Sequence, residues 1–475
     1  MQVPFVGGAY QSRSLNLNAQ RCINFYLVMG GDNGKSVAGL YGTPGLRLLA
    51  TLGGTGGIRA MHKPSVGDLI VVQGQSIYRV DSTWTATLAG YVDSLTTPVS
   101  IADDGIKAVL VTGQGGYTLD LATNVVAQIS DPAFYGASRV SYDGAYFIFE
   151  RPGTRQFYLI SQEDTVFDAL DFASAATNAE YIVSHIINHG ELLIFKRTVT
   201  EVWRNTGGAD FPYSRDGNAA IEQGCDATHS VVALDNTVFW LGGDKNGRGI
   251  VWRMNGYTPQ RVSHDGIEMA IQGYGDISDA VAFAYQQDGR TFYMISFPTG
   301  NATWGYDVAT KLWHERAYLN PATGTFQRHR AATHAFVGST HVVGDWENGK
   351  LYALDLNYFS DNGDPMVSLR SAPHIADQDY KRIKHKTLQV DIEAGVGLIT
   401  GQGSAPLMMI RWSDDGGHTW SPLKTMSMGA IGKYKQRARI RRLGESRDRV
   451  YEVSISDPVK RVIIGASLDA EGLMS

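Results

Sequence analysis

The run KYKQRARIRRLGESRDR places Lys433, Lys435, Arg437, Arg439 and Arg441 at period two. On an extended strand that period puts all five on one face, because successive side chains alternate. Arg442, Arg447 and Arg449 add charge close by. Like charges held in register repel one another unless something anionic lies against them, so this face reads as a surface for a polyanion or an acidic protein. A solvated edge strand also uses charge to block aggregation, but rarely needs five residues of one sign in register. Lys433, Lys435, Arg437, Arg439, Arg441 and Arg442 are therefore the candidate partner-binding set.

The other chemical signals read as structure. Ser413, Asp415, Gly417, Thr419 and Trp420 fit the Asp-box pattern S-x-D-x-G-x-T-W. In that pattern Asp accepts turn hydrogen bonds, Gly permits a positive φ and Trp anchors the hairpin; a structural turn is expected. His185 and His189 in SHIINHG lack a carboxylate at metal-ligand spacing and read as a structural pair. LGGTGG, GQGG and GGDNGKS miss the phosphate-loop spacing and are not followed by a helix pattern. G-x-S-x-G and H-E-x-x-H are absent. With only Cys22 and Cys225, neither a disulfide framework nor a cysteine zinc site is available. No nucleophile, base and orienter can be assembled, so no catalysis, cofactor or metal is expected.

The elements that must carry these residues follow from a repeat. Seven times the chain runs through a short strand, a tight polar turn, an apolar strand and a strand with an aromatic. The turns are SVGD, ADDG, SYDG, INHG, ALDN, QQDG and FVGS, whose Gly, Asn and Asp supply the positive φ that hairpins need. The strands after them begin near residues 68, 106, 145, 191, 237, 290 and 340, a mean spacing of about 45 that falls in the β-propeller blade range. Further on come Tyr78, Tyr117, Tyr158, Trp203, Trp252, Trp304 and Tyr352, at a phase suited to filling the wedge between blades. The expectation is an all-β chain: a seven-bladed propeller over 56–362, then a β-sandwich-like domain over 363–475 carrying the basic strand. Residues 1–55 form an arm whose Leu46–Leu52 stretch would close the ring on the last blade.

Composition agrees with that class. Of 475 residues 43% are hydrophobic and 19% charged, which excludes disorder, and 54 Gly with 23 Tyr, 17 Phe and 9 Trp suit a turn-rich β protein. The net charge of −5 argues against a general nucleic-acid coat. It is unevenly spread: residues 1–362 hold 25 basic and 34 acidic residues, whereas 363–475 hold 17 and 13, so the two parts are expected to meet different surfaces. The opening MQVPFVGGAY has no secretion-signal pattern and no apolar run reaches membrane-helix length, so no membrane insertion is expected.

The order of parts resembles the packaged-DNA stabilisation protein, or tail hub, of short-tailed bacteriophages (podoviruses). The residues carrying the likeness are Asn24, the TPGL of Thr43 to Leu46, TVTEVWRNTGG (Thr198 to Gly208), GCDATHSVVALDNTVFWLGG (Gly224 to Gly243) and Arg439 to Gly444. The resemblance implies a structural protein of the virion tail, assembled in the host bacterial cytoplasm. In that family six copies form a ring below the portal-adaptor ring, receive the tail needle and tailspikes or fibres, and retain packaged double-stranded DNA until ejection. Two rivals share the sequence signals: the tail-nozzle protein of another podovirus group, and a glycan-binding, sialidase-like but non-catalytic propeller. For the second, Arg59, Arg139, Arg151, Arg197, Arg253 and Arg290 are scattered without the spacing of a carboxylate-gripping trio.

Overall fold

The turn-and-strand repeat builds seven four-stranded antiparallel sheets in the computed structural model, which describes residues 1–31, 34–93, 96–208 and 210–473. Six blades are formed by 58–91, 100–128, 140–174, 182–221, 232–261 and 281–315; the seventh takes three strands from 331–355. Each innermost strand touches the innermost strand of the next blade, and Ala331–Val337 of the seventh touches Ile58–His62 of the first, so the ring is closed. The fourth strand of blade seven comes from the other end of the chain: Gly45–Thr51 pairs antiparallel with Lys350–Asp355.

The local chemistry accounts for this regularity. Every one of the seven inner hairpins carries a left-handed residue: Gly67, Gly105, Gly144, His189 with Gly190, Asp235 with Asn236, Asp288 with Gly289, and Gly338. The third strands carry the seven expected aromatics, and each faces the preceding blade. Tyr78 joins Leu69 and Val71 to Val342 and Leu351 of blade seven, while Trp252 joins Trp240 to Phe195 and Val202 of blade four. A wide flat ring suits a wedge that opens outward, where it removes the most apolar area from water. Gly242 makes the same kind of fit with backbone alone, since a Cβ there would stand 1.8 Å from the carbonyl oxygen of Gly224.

The sandwich draws strands from both ends of the chain. One sheet runs Cys22–Ile23, Ser368–Ser371, Asp448–Ile455, Leu407–Ser413, Lys424–Ser427; the other runs Phe25–Met29, Ala38–Gly42, Val462–Gly472, Ile383–Ile392, Ala438–Arg441. Phe25, Leu388, Met408, Tyr451, Val453 and Ile463 meet between them. Cys22–Ile23 also pairs in parallel with Leu312–Glu315, so the first sheet continues into blade six. At this seam Asn24 is fully buried at φ 52°. Its Nδ2 donates to Ala317 O (2.8 Å) and Val367 O (2.9 Å), and its Oδ1 accepts from Ala317 N–H (3.1 Å). Buried Arg370 pins the preceding segment, donating to the carbonyls of Phe5 and Gly8 and to Gln20 Oε1.

Candidate interaction surface

Alternation along Ala438–Arg441 turns Ala438 and Ile440 inward and leaves Arg439 and Arg441 outward, opposite Gln389 and Thr387 of Ile383–Ile392. The strand is the edge of its sheet, so one row of its backbone groups is unpaired by neighbouring strands. Next to it Lys386 pairs with Glu471 (2.9 Å), and Lys35 with Asp391 (2.5 Å). The acidic groups on this face are therefore paired with lysines. Lys433, Lys435, Arg437, Arg439, Arg441 and Arg442 are all exposed. None of the six takes part in an ion pair among the described residues.

The basic run differs from its expected form in one respect. Lys433 and Lys435 lie in turns and Arg437 precedes the strand, so only Arg439 and Arg441 alternate on it. The cause is local: Gly429 and Gly432 adopt left-handed φ of 88° and 77°. Gly432 N–H then bonds Gly395 O, and Gln436 N–H bonds Lys433 O, which closes loops that an extended chain cannot make. Arg442 is itself left-handed (φ 61°), and its N–H bonds Lys386 O, ending the strand. The charges consequently follow a folded tip and a short edge. Ile431 and Tyr434 stand among them, 55% and 75% exposed. Exposed apolar side chains ringed by charge are the pattern of a docking surface.

The Asp-box residues form a closed hydrogen-bonded turn. Asp415 accepts from Ser413 Oγ (2.6 Å), His418 N–H (3.0 Å), Thr419 N–H (2.8 Å) and Thr419 Oγ1 (2.5 Å), and Ser413 Oγ accepts from Gly417 N–H (2.7 Å). Those hydroxyl and amide donors hold the Asp415 carboxyl well below its ordinary range. Gly417 sits at φ 101°, and Trp420 packs under the Arg411 guanidinium at 4.7 Å. His185 and His189 are not brought together: His185 is buried with Nδ1 3.4 Å from Glu150 Oε2, whereas His189 at the hairpin tip reaches Asn236 O (3.0 Å). Among the described residues no three His, Cys, Asp or Glu side chains converge as a metal site. No helix there is long and apolar enough to cross a membrane.

Two of the sequence motifs noted above tie a blade to the connection that leads into it. Glu201 of TVTEVWRNTGG is buried against Lys196 (2.9 Å) and accepts from Thr177 N–H (2.8 Å) and Trp203 Nε1–H (3.0 Å). Gly224 O accepts from Trp240 Nε1–H (2.9 Å). Sequence reasoning did not bring Arg59 and Arg139 together with Arg328, yet all three line one axial cavity. Their sequence separation hides the grouping; the recurrence of each near the start of an innermost strand is the signal that could have found it.

Two family models match the chain. One, described as bacteriophage P22 Gp10, beta-propeller, covers residues 1–358, and the other, bacteriophage P22 Gp10, beta-sandwich, covers 370–471. No curated protein matches significantly. Similar solved structures include the WD40 β-propeller domain of Doa1 at 11% identity, covering 65% of this chain and 96% of that one with a TM-score of 0.41. The N-terminal domain of Nup159 shows 8% identity, 66% and 95% coverage and a TM-score of 0.42. PorZ of the type-IX secretion system of Porphyromonas gingivalis shows 13% identity, 80% and 46% coverage and a TM-score of 0.39.

Proposed function

The chain belongs to the bacteriophage P22 Gp10 family, tail-hub and packaged-DNA-stabilisation proteins that are structural parts of the virion, and from that premise we propose how it assembles. Copies of this chain, six by family resemblance, form a ring below the portal-adaptor ring. The basic tip and edge of the sandwich, Lys433 to Arg442, grip acidic groups of that upstream ring. The propellers, rigid because each blade is wedged by its neighbours, present loops for the tail needle and for tailspikes or fibres. Their acidic balance keeps duplex DNA from adhering to the ring wall, so the genome is retained by a plug beneath it and slides freely on ejection.

The observation that supports docking is the exposed, ion-pair-free basic cluster on an edge strand with apolar side chains in its midst. No chemistry on a substrate is part of this reading; the work done is positioning. The test replaces Lys433, Lys435, Arg437, Arg439 and Arg441 together by Glu and measures the mass of the purified protein alone and mixed with its adaptor ring. Wild type is expected to join a six-copy complex on the ring, and the variant to stay free with an unchanged circular dichroism spectrum. A variant that assembles like wild type refutes the assignment.

A further inference from the structure

Blades two and three part toward the rim around a cleft of about 750 Å³. The sequence of blade two opens it. Tyr117 and Leu119 of its third strand face blade one, so alternation turns Thr118 and Asp120 toward blade three. Blade three, by contrast, sets Phe157 and Leu159 against blade four at the same place. The shorter pair leaves the wedge unfilled. Val109, Phe147 and Phe149 make an apolar floor, with Val125 and Ala127 on one side. The other side is a strap, residues 162–171, between the third and fourth strands of blade three.

Val126–Gln128 is the outer edge of blade two. Asp120 N–H bonds Val125 O (3.0 Å) and Ile129 N–H bonds Gly116 O (2.8 Å). Backbone groups alternate along a strand, so Val126 and Gln128 point their N–H and C=O outward. No hydrogen bond among the described residues reaches those outward groups. The strap brings a second imbalance. Residues 156–195 contain six acidic side chains and no Lys or Arg, and Glu163, Asp164, Asp168 and Asp171 lie on the strap. None of these four forms an ion pair among the described residues. Burial, and then the charges of Asp168 and Asp164, push the Asp171 carboxyl up, so the strap's acids repel one another. Lys107 also lines the cleft, but its Nζ donates to the carbonyls of Gln162 (3.0 Å) and Asp164 (3.4 Å), one charge against four. Val125, Val166 and Leu170 stand exposed beside these acids.

An uncharged edge beside exposed apolar side chains is a template for a further strand. Uncompensated carboxylates next to it favour a strand that carries cations. We propose that this cleft receives an extended segment of another protein, added as a fifth strand outside Val126–Gln128. On the face turned to the cleft, its apolar side chains enter and flanking Lys or Arg reach the strap. Main-chain bonds to Val126 and Gln128 hold the segment, while cleft and strap select its sequence. The chain's own basic tip is closed into turns over 429–436, so a different protein fits this site better than a second copy. The inference goes beyond the assembly proposed above and stands without it, because the sandwich tip and this cleft are separate contacts.

The probe is a fluorescein-labelled peptide, KSLSLSK, whose Lys and Leu share one face of a strand and whose Ser share the other. Fluorescence anisotropy against the full chain should show saturable one-to-one binding, with ESLSLSE and KSSSSSK at least ten-fold weaker. Glu163→Lys combined with Asp164→Lys should weaken KSLSLSK at least ten-fold. Gln128→Pro removes an outward N–H while sparing the inner ladder, and should do the same. Arg437→Glu, on the sandwich, is expected to leave binding unchanged. In wild type the peptide should slow hydrogen exchange at 125–129, which reports even where a variant misfolds. No saturable binding, equal binding of ESLSLSE, wild-type affinity in a folded variant, or protection confined elsewhere overturns the proposal. So does a concentration-dependent dimer that the peptide disperses, which would give the cleft to a second copy.

Discussion

Replacing Asn24 by Ala removes three hydrogen bonds from a fully buried junction of arm, propeller and sandwich. Each bond is worth about 0.5–1.5 kcal/mol net, and each orphaned partner costs about 1–3 kcal/mol. Allowing for partial relaxation, the three together come to roughly 3–5 kcal/mol. The backbone adds to this, because φ is 52° and Ala there costs about 1 kcal/mol that Asn largely avoids. The expected loss for Asn24→Ala is thus about 4–6 kcal/mol, a value confined to buried networks and cavities. Asn24→Gly should recover about 1 kcal/mol of it by relieving the backbone alone. Asn24→Asp should be at least as damaging as Ala, because its carboxylate would face the carbonyl oxygens of Ala317 and Val367 instead of donating to them. Urea unfolding followed by tryptophan fluorescence, with limited proteolysis of residues 1–42, measures all three. Asn24→Ala within 1 kcal/mol of wild type, or Asn24→Asp matching it, would refute the role of this side chain as the clasp.

Glu201→Gln leaves the Lys196 charge buried with its side chain 0% exposed, so a loss of about 3–5 kcal/mol in urea unfolding is expected; the double change to Met should regain most of it. Gly242→Ala forces a Cβ to within 1.8 Å of the Gly224 carbonyl, and the expected outcome is inclusion-body expression or a melting temperature lowered by many degrees. Burial, aided by the Arg316 charge, lowers His314 from 6.5 to about 3. The unfolded chain therefore takes up a proton near pH 6.5 that the fold refuses until about pH 3. Stability from this residue is full above pH 6.5 and falls with acid at about 1.4 kcal/mol per pH unit. His314→Leu should flatten the profile by one proton over that window, as read from urea midpoints at stepped pH; an unchanged slope would show that the imidazole charges in the folded state.

The propeller was legible because its signals are local. A left-handed turn residue and a third-strand aromatic recur within each blade, and both are properties of some 45 neighbouring residues. The membership of the chain in a phage structural family was legible through Asn24, TVTEVW and the Gly224 to Gly243 stretch, and the structure supplies their physical content: a seam, a buried ion pair and a close backbone approach. What escaped the sequence was long-range or conformational. Period-two spacing at Lys433 to Arg441 looked like one strand, but Gly429 and Gly432 turn the chain before extension begins. Arg370 clasping Phe5, and the meeting of Arg59, Arg139 and Arg328, join residues of different elements far apart in the chain, which no signal local to one blade connects.

Closure of the propeller by Gly45–Thr51 against Lys350–Asp355 sets a schedule for biosynthesis. The strand that completes the circle leaves the ribosome early, and its partner follows about 300 residues later. At roughly 5–20 residues per second that interval is about 15–60 s. Throughout it the nascent chain holds an orphan strand and an open-sided fan of blades, each with an apolar flank awaiting the next. A phage making many copies at once therefore has its greatest hazard in exchange of that early strand between neighbouring chains, and a chaperone that shields the fan's two bare flanks would raise the yield of correctly latched molecules.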